Sequence, residues 1–411
     1  MRILLITHYF PPENGAPQRR WDSLIRHFVE AGHEVAVLCP PPHNRTGRIP
    51  NEYRSYYRTG NAERAENGAL VFRVGYLPHR GDMVTRTLDH LASALTSIGR
   101  GSRLLRSESF VPDVIIATAP AIPTLIAGRW LKLLHRIPLI VEMRDAWPDL
   151  VTHMSGGDGG AGGAVSLAKR LVQRWVTGLQ RSATQVVTTT DAFARVLETR
   201  GMRGVEVIRN GADANRFAEL PARDGNHAEL RALYLGTIGR SQGLDMVVRA
   251  AAALGEQGVD LQLRIIGDGH HREDLVELNR SLGSPAEILS EISPRDVAQQ
   301  YAWADTTIAS LRDWEPFEWT VPSKLYELLS TGRHVTGIMA GEGASILQDS
   351  RAGDVVAPGD LAGLIQRWTD LSKNPERLEI GTTGVDWVQK NVDFTRLSSD
   401  YLEIIERVRH D

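Results

Sequence analysis

The stretch Val321-Pro-Ser-Lys-Leu-Tyr-Glu-Leu-Leu-Ser-Thr-Gly-Arg-His-Val335 puts a cation and a carboxylate three residues apart. Pro322 suits the first turn of a helix, where a missing amide N–H costs nothing. Leu325, Leu328 and Leu329 mark one buried helical face, Gly332 ends the helix, and Val335 begins a strand. Ser323 and Lys324 then stand at a helix N-terminus, where free amides and the helix dipole favour an anion. Glu327 shares a face with Lys324 and can accept hydrogen bonds from a diol. A phosphate beside a sugar diol describes a nucleotide. Only five of the 47 basic residues are lysine, so a lysine at this position stands out.

Other chemistry-bearing residues also lie where strands give way to loops. The first strand runs into Thr7-His-Tyr-Phe-Pro-Pro-Glu-Asn-Gly-Ala-Pro-Gln-Arg-Arg-Trp21. A loop carrying Gly15 ahead of a helix lets backbone amides approach a pyrophosphate, although a plain turn-rich connection reads the same way. The loop lacks G-x-G-x-x-G, which argues against a nicotinamide or flavin cofactor. The stretch Glu142-Met-Arg-Asp-Ala-Trp-Pro-Asp149 crowds charges at the mouth of a buried strand. Arg144 and Asp145 there are either a structural ion pair or part of a ligand site, and burial without either role is costly. In Leu235-Gly-Thr-Ile-Gly-Arg-Ser-Gln-Gly-Leu244, Gly239 and Arg240 repeat the logic of an anion loop. The loop of Gly269, in Gly267-Asp-Gly-His-His271, can border a base.

The elements that must position these groups alternate between strand and helix. Strand-like runs fall at Ile3–Thr7, Glu34–Leu38, Leu70–Val74, Val114–Ala117, Leu139–Glu142, Gln185–Thr188 and Val205–Ile208. Helical patterns such as Gln18–Glu30, Ile122–His135 and Ser166–Ser182 separate them. The pattern restarts with strands at Leu230–Leu235, Leu261–Ile266, Thr306–Ser310 and His334–Ile338, and with helices beginning near Leu244, His271, Pro294 and Pro322. Short aliphatic strands joined by crossover helices predict an α/β fold of two doubly wound, Rossmann-like domains. The expected division is 1–211, a polar linker at 212–228, and 229–391. Three closing helices fall near Leu361–Leu371, Pro375–Asn391 and Thr395–Arg409, and a last helix at about 392–411 is a candidate to pack back on the first domain. Such domains bind ligands at the carboxyl ends of their strands, so two that face each other share one cleft.

Composition narrows the function classes. A chain of 411 residues exceeds one ordinary core. A net charge of −3 gives no reason to expect nucleic-acid binding. The single cysteine, Cys39, excludes an intramolecular disulfide and fits a reducing compartment. No signal-peptide layout opens the chain, and the most apolar window, Val111–Gly128, holds Asp113 and three prolines, so a cytoplasmic protein is expected. The segment Arg86–Arg106 has helical apolar spacing with a basic margin, which suits either an ordinary surface helix or a peripheral membrane contact.

Together, Ile6-Thr-His-Tyr-Phe-Pro-Pro-Glu-Asn-Gly-Ala-Pro-Gln-Arg-Arg20, Val207-Ile-Arg-Asn-Gly-Ala-Asp213, the Tyr234–Ala251 loop and helix, Ile265-Ile-Gly-Asp-Gly269 and Pro322–Val335 resemble GT-B glycosyltransferases of family 4. The resemblance spans nearly the whole chain and is nearest to L-fucosamine-transferase-like enzymes of surface-polysaccharide synthesis. It implies retaining transfer from a nucleotide sugar, with a UDP-sugar favoured over a GDP-sugar, to a glycan, lipid-linked or small-molecule acceptor. It implies that Glu327 holds the ribose and that Lys324 and Arg240 neutralise the diphosphate. Gly15, Gly239, Ser323 and Gly269 would complete the donor site, with Arg144 and Asp145 near the reacting centre. No cofactor and no metal are expected, because cations and helix ends supply the positive field. Three departures from the family pattern are visible: Trp319 stands at the first position of the Glu-x7-Glu motif, Thr237 and Gln242 replace the basic residues of the donor loop, and Arg144-Asp145 replaces a His-Asp pair. A nucleotide-sugar epimerase or hydrolase, or a non-catalytic nucleotide-sugar-binding subunit, remains an alternative.

Overall fold

Runs such as Arg2–Ile6 and Val114–Thr118 are nearly all aliphatic, and in the computed structural model they form the middle of a sheet buried on both faces. The structure describes residues 1–44, 46–107, 110–144, 146, 163–225 and 227–410, with only the backbone of 163–169. They divide into two units, Met1–Arg209 with Phe394–Asp411, and Asn210–Asp393.

In the first unit the strands are β1 Arg2–Ile6, β2 Glu34–Cys39, β3 Ala62–Arg64, β4 Leu70–Arg73, β5 Val114–Thr118, β6 Leu139–Met143, β7 Gln185–Thr188 and β8 Glu206–Val207. They lie in the order β3-β4-β2-β1-β5-β6-β7-β8, and all pairings are parallel except β3 with β4. Helices α1 Ala16–Glu30, α2 Met83–Arg106, α3 Pro123–His135, α4 Gly163–Arg181 and α5 Asp191–Thr199 connect them. Inside this unit a charged pair replaces apolar packing. The Arg20 guanidinium on α1 donates from Nη2 to Glu142 Oε2 on β6 at 2.9 Å and to the Ile208 carbonyl at 2.9 Å. Thr118 donates to the other carboxylate oxygen at 3.1 Å. Buried charges persist only when paired and hydrogen-bonded in this way.

In the second unit β9 Leu230–Leu235, β10 Leu261–Ile266, β11 Ala286–Leu289, β12 Thr306–Ser310, β13 His334–Ile338 and β14 Gly353–Val356 form an all-parallel sheet. The order is β11-β10-β9-β12-β13-β14. Its helices are α6 Leu244–Glu256, α7 Arg272–Ser281, α8 Val297–Trp303, α9 Glu315–Glu318, α10 Ser323–Leu329, α11 Gly341–Ser350, α12 Leu361–Lys373 and α13 Thr383–Asn391. The chain builds outward from β9 to β11, then returns to lay β12 on the other side of β9. That reversal is the switch point where open α/β sheets bind ligands. The final helix, α14 Phe394–His410, belongs to the first unit, where Tyr401 packs against Trp21 and Phe28 of α1.

The doubly wound α/β class read from the sequence is the observed one. Several elements were not anticipated. Strands β3, β11 and β14 lack continuous aliphatic runs, and α5 and α11 are short. The helix expected over Pro375–Asn391 is instead a short 3-10 turn and α13, separated at Gly381 with φ +61°. Residues 212–228 are counted with the second unit: Phe217 packs edge-on against Tyr301, and Arg223 bonds Asp305 at 3.2 Å and Glu379 at 2.9 Å.

Candidate active site

Helix α10 starts one residue later than expected, with Pro322 as the cap and Ser323 as its first residue. Leu325, Leu328 and Leu329 bury its apolar face, which turns Lys324 and Glu327 together toward the opposite side. Lys324 Nζ donates to Glu327 Oε1 at 2.9 Å. Tyr301 on α8 donates its hydroxyl to the same oxygen at 2.9 Å. Arg216 stands 3.5 Å from Oε2, and the Lys324 ammonium also lies over the Tyr301 ring. Burial opposes ionisation of Glu327, but Lys324, then Arg216, and the hydrogen bonds from Lys324 and Tyr301 outweigh it and hold the carboxyl at about 2. An ionised carboxylate whose Oε2 has, among the described residues, only the Arg216 cation at 3.5 Å suits acceptance of hydroxyl donors. Tyr301 and Arg216 escaped the sequence reading, because neither lies within a helical turn of Glu327.

The loops after β9 and β10 prolong their strands' pairing. Ile238 N–H donates to the Asp268 carbonyl at 2.9 Å, and His271 N–H donates to the Ile238 carbonyl at 3.1 Å. Gly269 has φ +159°, and a Cβ there would lie 2.3 Å from the Ile238 oxygen. Only glycine allows that backbone approach. Gly239 is extended, and its N–H donates to Gln242 Oε1 at 3.1 Å. Gln242 therefore caps the loop. Arg240 opens the following 3-10 turn and is exposed. The loop is held from β12, where Ser310 donates to the Gln242 carbonyl at 2.6 Å and Arg312 N–H to the Ser241 carbonyl at 2.9 Å. The Arg312 guanidinium grips both oxygens of Asp245 at 3.0 and 3.1 Å. Ser310 and Arg312 were also missed, since strand order alone brings β12 beside β9.

Ser323, Lys324 and Glu327 thus stand together on α10, and Gly239, Arg240 and Gly269 together on the paired loops after β9 and β10. Both groups lie on connections that follow the carboxyl ends of strands in one sheet. Gly15 and Arg144 belong to the first unit. Gly15 caps α1 with φ −179°, and Arg144 is buried just beyond β6, its carbonyl accepting from Thr189 at 3.3 Å. Asp145 lies outside the described residues. Trp319 ends the short helix α9. A groove of about 570 Å³ between residues 215–221 and α8 includes Arg216, but no site residue read from the sequence lines it.

Two α/β units of this topology, with the Lys324–Glu327 pair on α10, suit a nucleotide-handling protein, and the family models make the class specific. Residues 15–211 match the model described as "Glycosyl transferase 4-like domain", and residues 229–374 match "Glycosyl transferases group 1". The chain belongs to the GT-B glycosyltransferase superfamily. It is 24% identical over 302 residues to a putative colanic acid biosynthesis glycosyl transferase, WcaI, of Escherichia coli strain K12, covering 69% of this chain and 70% of the relative. Among solved structures, sucrose-phosphate synthase from Thermosynechococcus elongatus has a TM-score of 0.75 at 14% identity, covering 99% of this chain and 98% of that one. HepE from Anabaena, solved in complex with UDP and glucose, has a TM-score of 0.68 at 16% identity, covering 98% and 99%. Among the described residues no helix is long and apolar enough to cross a membrane.

Proposed function

We propose that the chain is a retaining glycosyltransferase that moves a sugar from a nucleotide-sugar donor, a UDP-sugar in preference to a GDP-sugar, to a glycan, lipid-linked or small-molecule acceptor. The setting is synthesis of a surface polysaccharide or another glycoconjugate. The observation that carries this reading is the Glu327 carboxylate on α10, kept ionised by Lys324, Arg216 and Tyr301. It suits the ribose diol, and the cation beside it suits a phosphate. The solved complex of HepE with UDP and glucose and the colanic acid role in the printed name of WcaI support the same direction. Thr237, Gln242 and Arg144-Asp145 favour the L-fucosamine-transferase-like branch within the superfamily.

In the proposed reaction the bond from the sugar C1 to the diphosphate oxygen breaks while an acceptor hydroxyl forms its bond on the same face. The hydroxyl proton passes to the departing phosphate oxygen. Lys324 and Arg240 offset the charge gathering on the diphosphate, so the donor step needs no metal.

We place the chain at the cytoplasmic face of a membrane as a peripheral protein. The neighbouring helices α2, α3 and α4 expose Leu88, Leu95, Trp130, Leu133, Leu171 and Trp175. Exposed Arg86, Arg129 and Arg174 lie on the same helices, a mixture that suits anionic lipid headgroups.

The deciding experiment screens the purified chain against UDP-, GDP- and dTDP-sugars by thermal shift, then assays the stabilising donor with and without acceptors. Transfer that requires an acceptor supports the reading. Turnover of donor alone indicates a hydrolase or epimerase, and binding without turnover indicates a non-catalytic subunit.

A further inference from the structure

We propose that His8, His43 and Asp89 form a binding site for one divalent transition-metal ion of the zinc type. Three separate segments supply the ligands: the residue just beyond β1 and Thr7, the loop after β2, and helix α2. His8 Nε2 lies 3.2 Å, and His43 Nε2 2.8 Å, from the same oxygen, Asp89 Oδ2. The three donor atoms lie within 4.8 Å of one another, and all three side chains are buried.

The surrounding hydrogen bonds determine what each group presents. His43 Nδ1 lies 2.6 Å from the Pro41 carbonyl. A carbonyl only accepts, so Nδ1 carries the proton, and in a neutral ring Nε2 presents a lone pair. That lone pair points at a carboxylate oxygen, another acceptor. The two repel unless a positive charge lies between them. His8 crowds the same oxygen: it is only 4% exposed, its Nε2 lies 3.2 Å from Asp89 Oδ2, and its Nδ1 has no hydrogen-bond partner among the described residues. Without a cation His43 would need a second proton, on Nε2, to meet Asp89, which charges a buried ring, while His8 could meet it only as the Nε2–H tautomer. One divalent cation satisfies all three groups.

The supports behind the ligands fit the same conclusion. Metal-binding histidines characteristically donate their other ring N–H to a carbonyl or carboxylate, as His43 does to Pro41. The second Asp89 oxygen accepts the Leu77 N–H at 2.9 Å, which fixes the carboxylate's orientation. Zinc bonds of about 2.0–2.2 Å to nitrogen and oxygen place neighbouring ligands roughly 3.3 Å apart. The two separations to Asp89 Oδ2, 3.2 and 2.8 Å, need to open by only a few tenths of an ångström. The ion would tie the β1 and β2 loop ends to α2. This is a structural clip within the first unit, and it does not rest on the donor reading above.

The test uses untagged full-length protein, stripped with a chelator, dialysed and titrated with zinc chloride by calorimetry. One equivalent should bind and raise Tm, and X-ray absorption of the zinc-loaded protein should show nitrogen and oxygen ligands including imidazole. His8→Ala removes one ring of the cluster and leaves the His43–Asp89 contact in place, so it should fold, as checked by circular dichroism. Its zinc affinity should fall by more than the 10- to 100-fold typical of losing an outer support. Asp89→Asn should give the same loss. Absence of a one-equivalent event in the wild type, or equal zinc affinity and stoichiometry in wild type and folded His8→Ala, would overturn the proposal.

Discussion

Gly269 stands so close to Ile238 that a Cβ on the glycine would lie 2.3 Å from the Ile238 carbonyl oxygen. The backbones of the loops after β9 and β10 therefore touch where the candidate donor groups gather. Gly269→Ala must either strain φ away from +159° or separate the loops, at a cost of order 1–3 kcal/mol. We expect a Tm lower by several degrees. Gly15→Ala is the contrasting variant. Gly15 is extended, and an added Cβ meets only the end of the Gln18 side chain. Its Tm should stay near wild type, so any loss of donor affinity reports on ligand contact. Unchanged affinity and turnover in Gly15→Ala would remove Gly15 from the donor site.

The Arg20–Glu142 pair gives the largest expected loss of stability. Breaking a buried ion pair leaves one charge uncompensated, which typically costs 3–5 kcal/mol. Glu142→Ala should reduce the denaturant midpoint accordingly. A change below about 1 kcal/mol would mean that the Arg20 guanidinium finds other partners.

Glu327 gives a pH signature. Its folded carboxyl titrates at about 2, below the ordinary value of 4.5. A depressed carboxyl stabilises the fold only while ionised, so its contribution is complete above 4.5 and disappears as pH falls toward 2. The stability difference between wild type and Glu327→Gln should hold steady near neutral pH and shrink across that window in urea titrations. Glu327→Ala should also weaken nucleotide binding by about 10- to 150-fold, the equivalent of a charged hydrogen bond. Full nucleotide affinity in the folded variant would dismiss the ribose assignment.

Lys324→Ala and Arg240→Ala should each lower turnover on the order of 100-fold, because charge on the leaving diphosphate peaks in the transition state. Arg240 is exposed, so its variant should keep wild-type Tm. Near-normal rates in both would place the diphosphate elsewhere. Added magnesium should leave wild-type turnover unchanged.

Membrane contact can be read by cosedimentation with vesicles. Anionic phosphatidylglycerol vesicles should retain the wild type, and neutral phosphatidylcholine vesicles should retain less. Replacing Trp130 and Leu133 together by serine should release the protein without changing Tm, since both side chains are exposed. Equal retention of the variant would point away from α3 as the contact.

Residue order alone determined those features that neighbours in the chain create. The strands Leu230–Leu235, Leu261–Ile266, Thr306–Ser310 and His334–Ile338 are found with the bounds read from their aliphatic runs. The Lys324–Glu327 pair follows from helical spacing in the same way. Polar or short elements such as β3 and α11 were hidden, because burial of a few residues leaves no periodic trace. The partners of the functional groups were decided by tertiary structure. Arg20 and Glu142 are 122 positions apart and meet only because β6 lies in the sheet that α1 covers. Arg216 and Tyr301 reach Glu327, and His8 and His43 reach Asp89, through connections that cross between strands. A side chain's local pattern records which face is apolar, whereas its long-range partner depends on strand order and on which loops that order brings side by side.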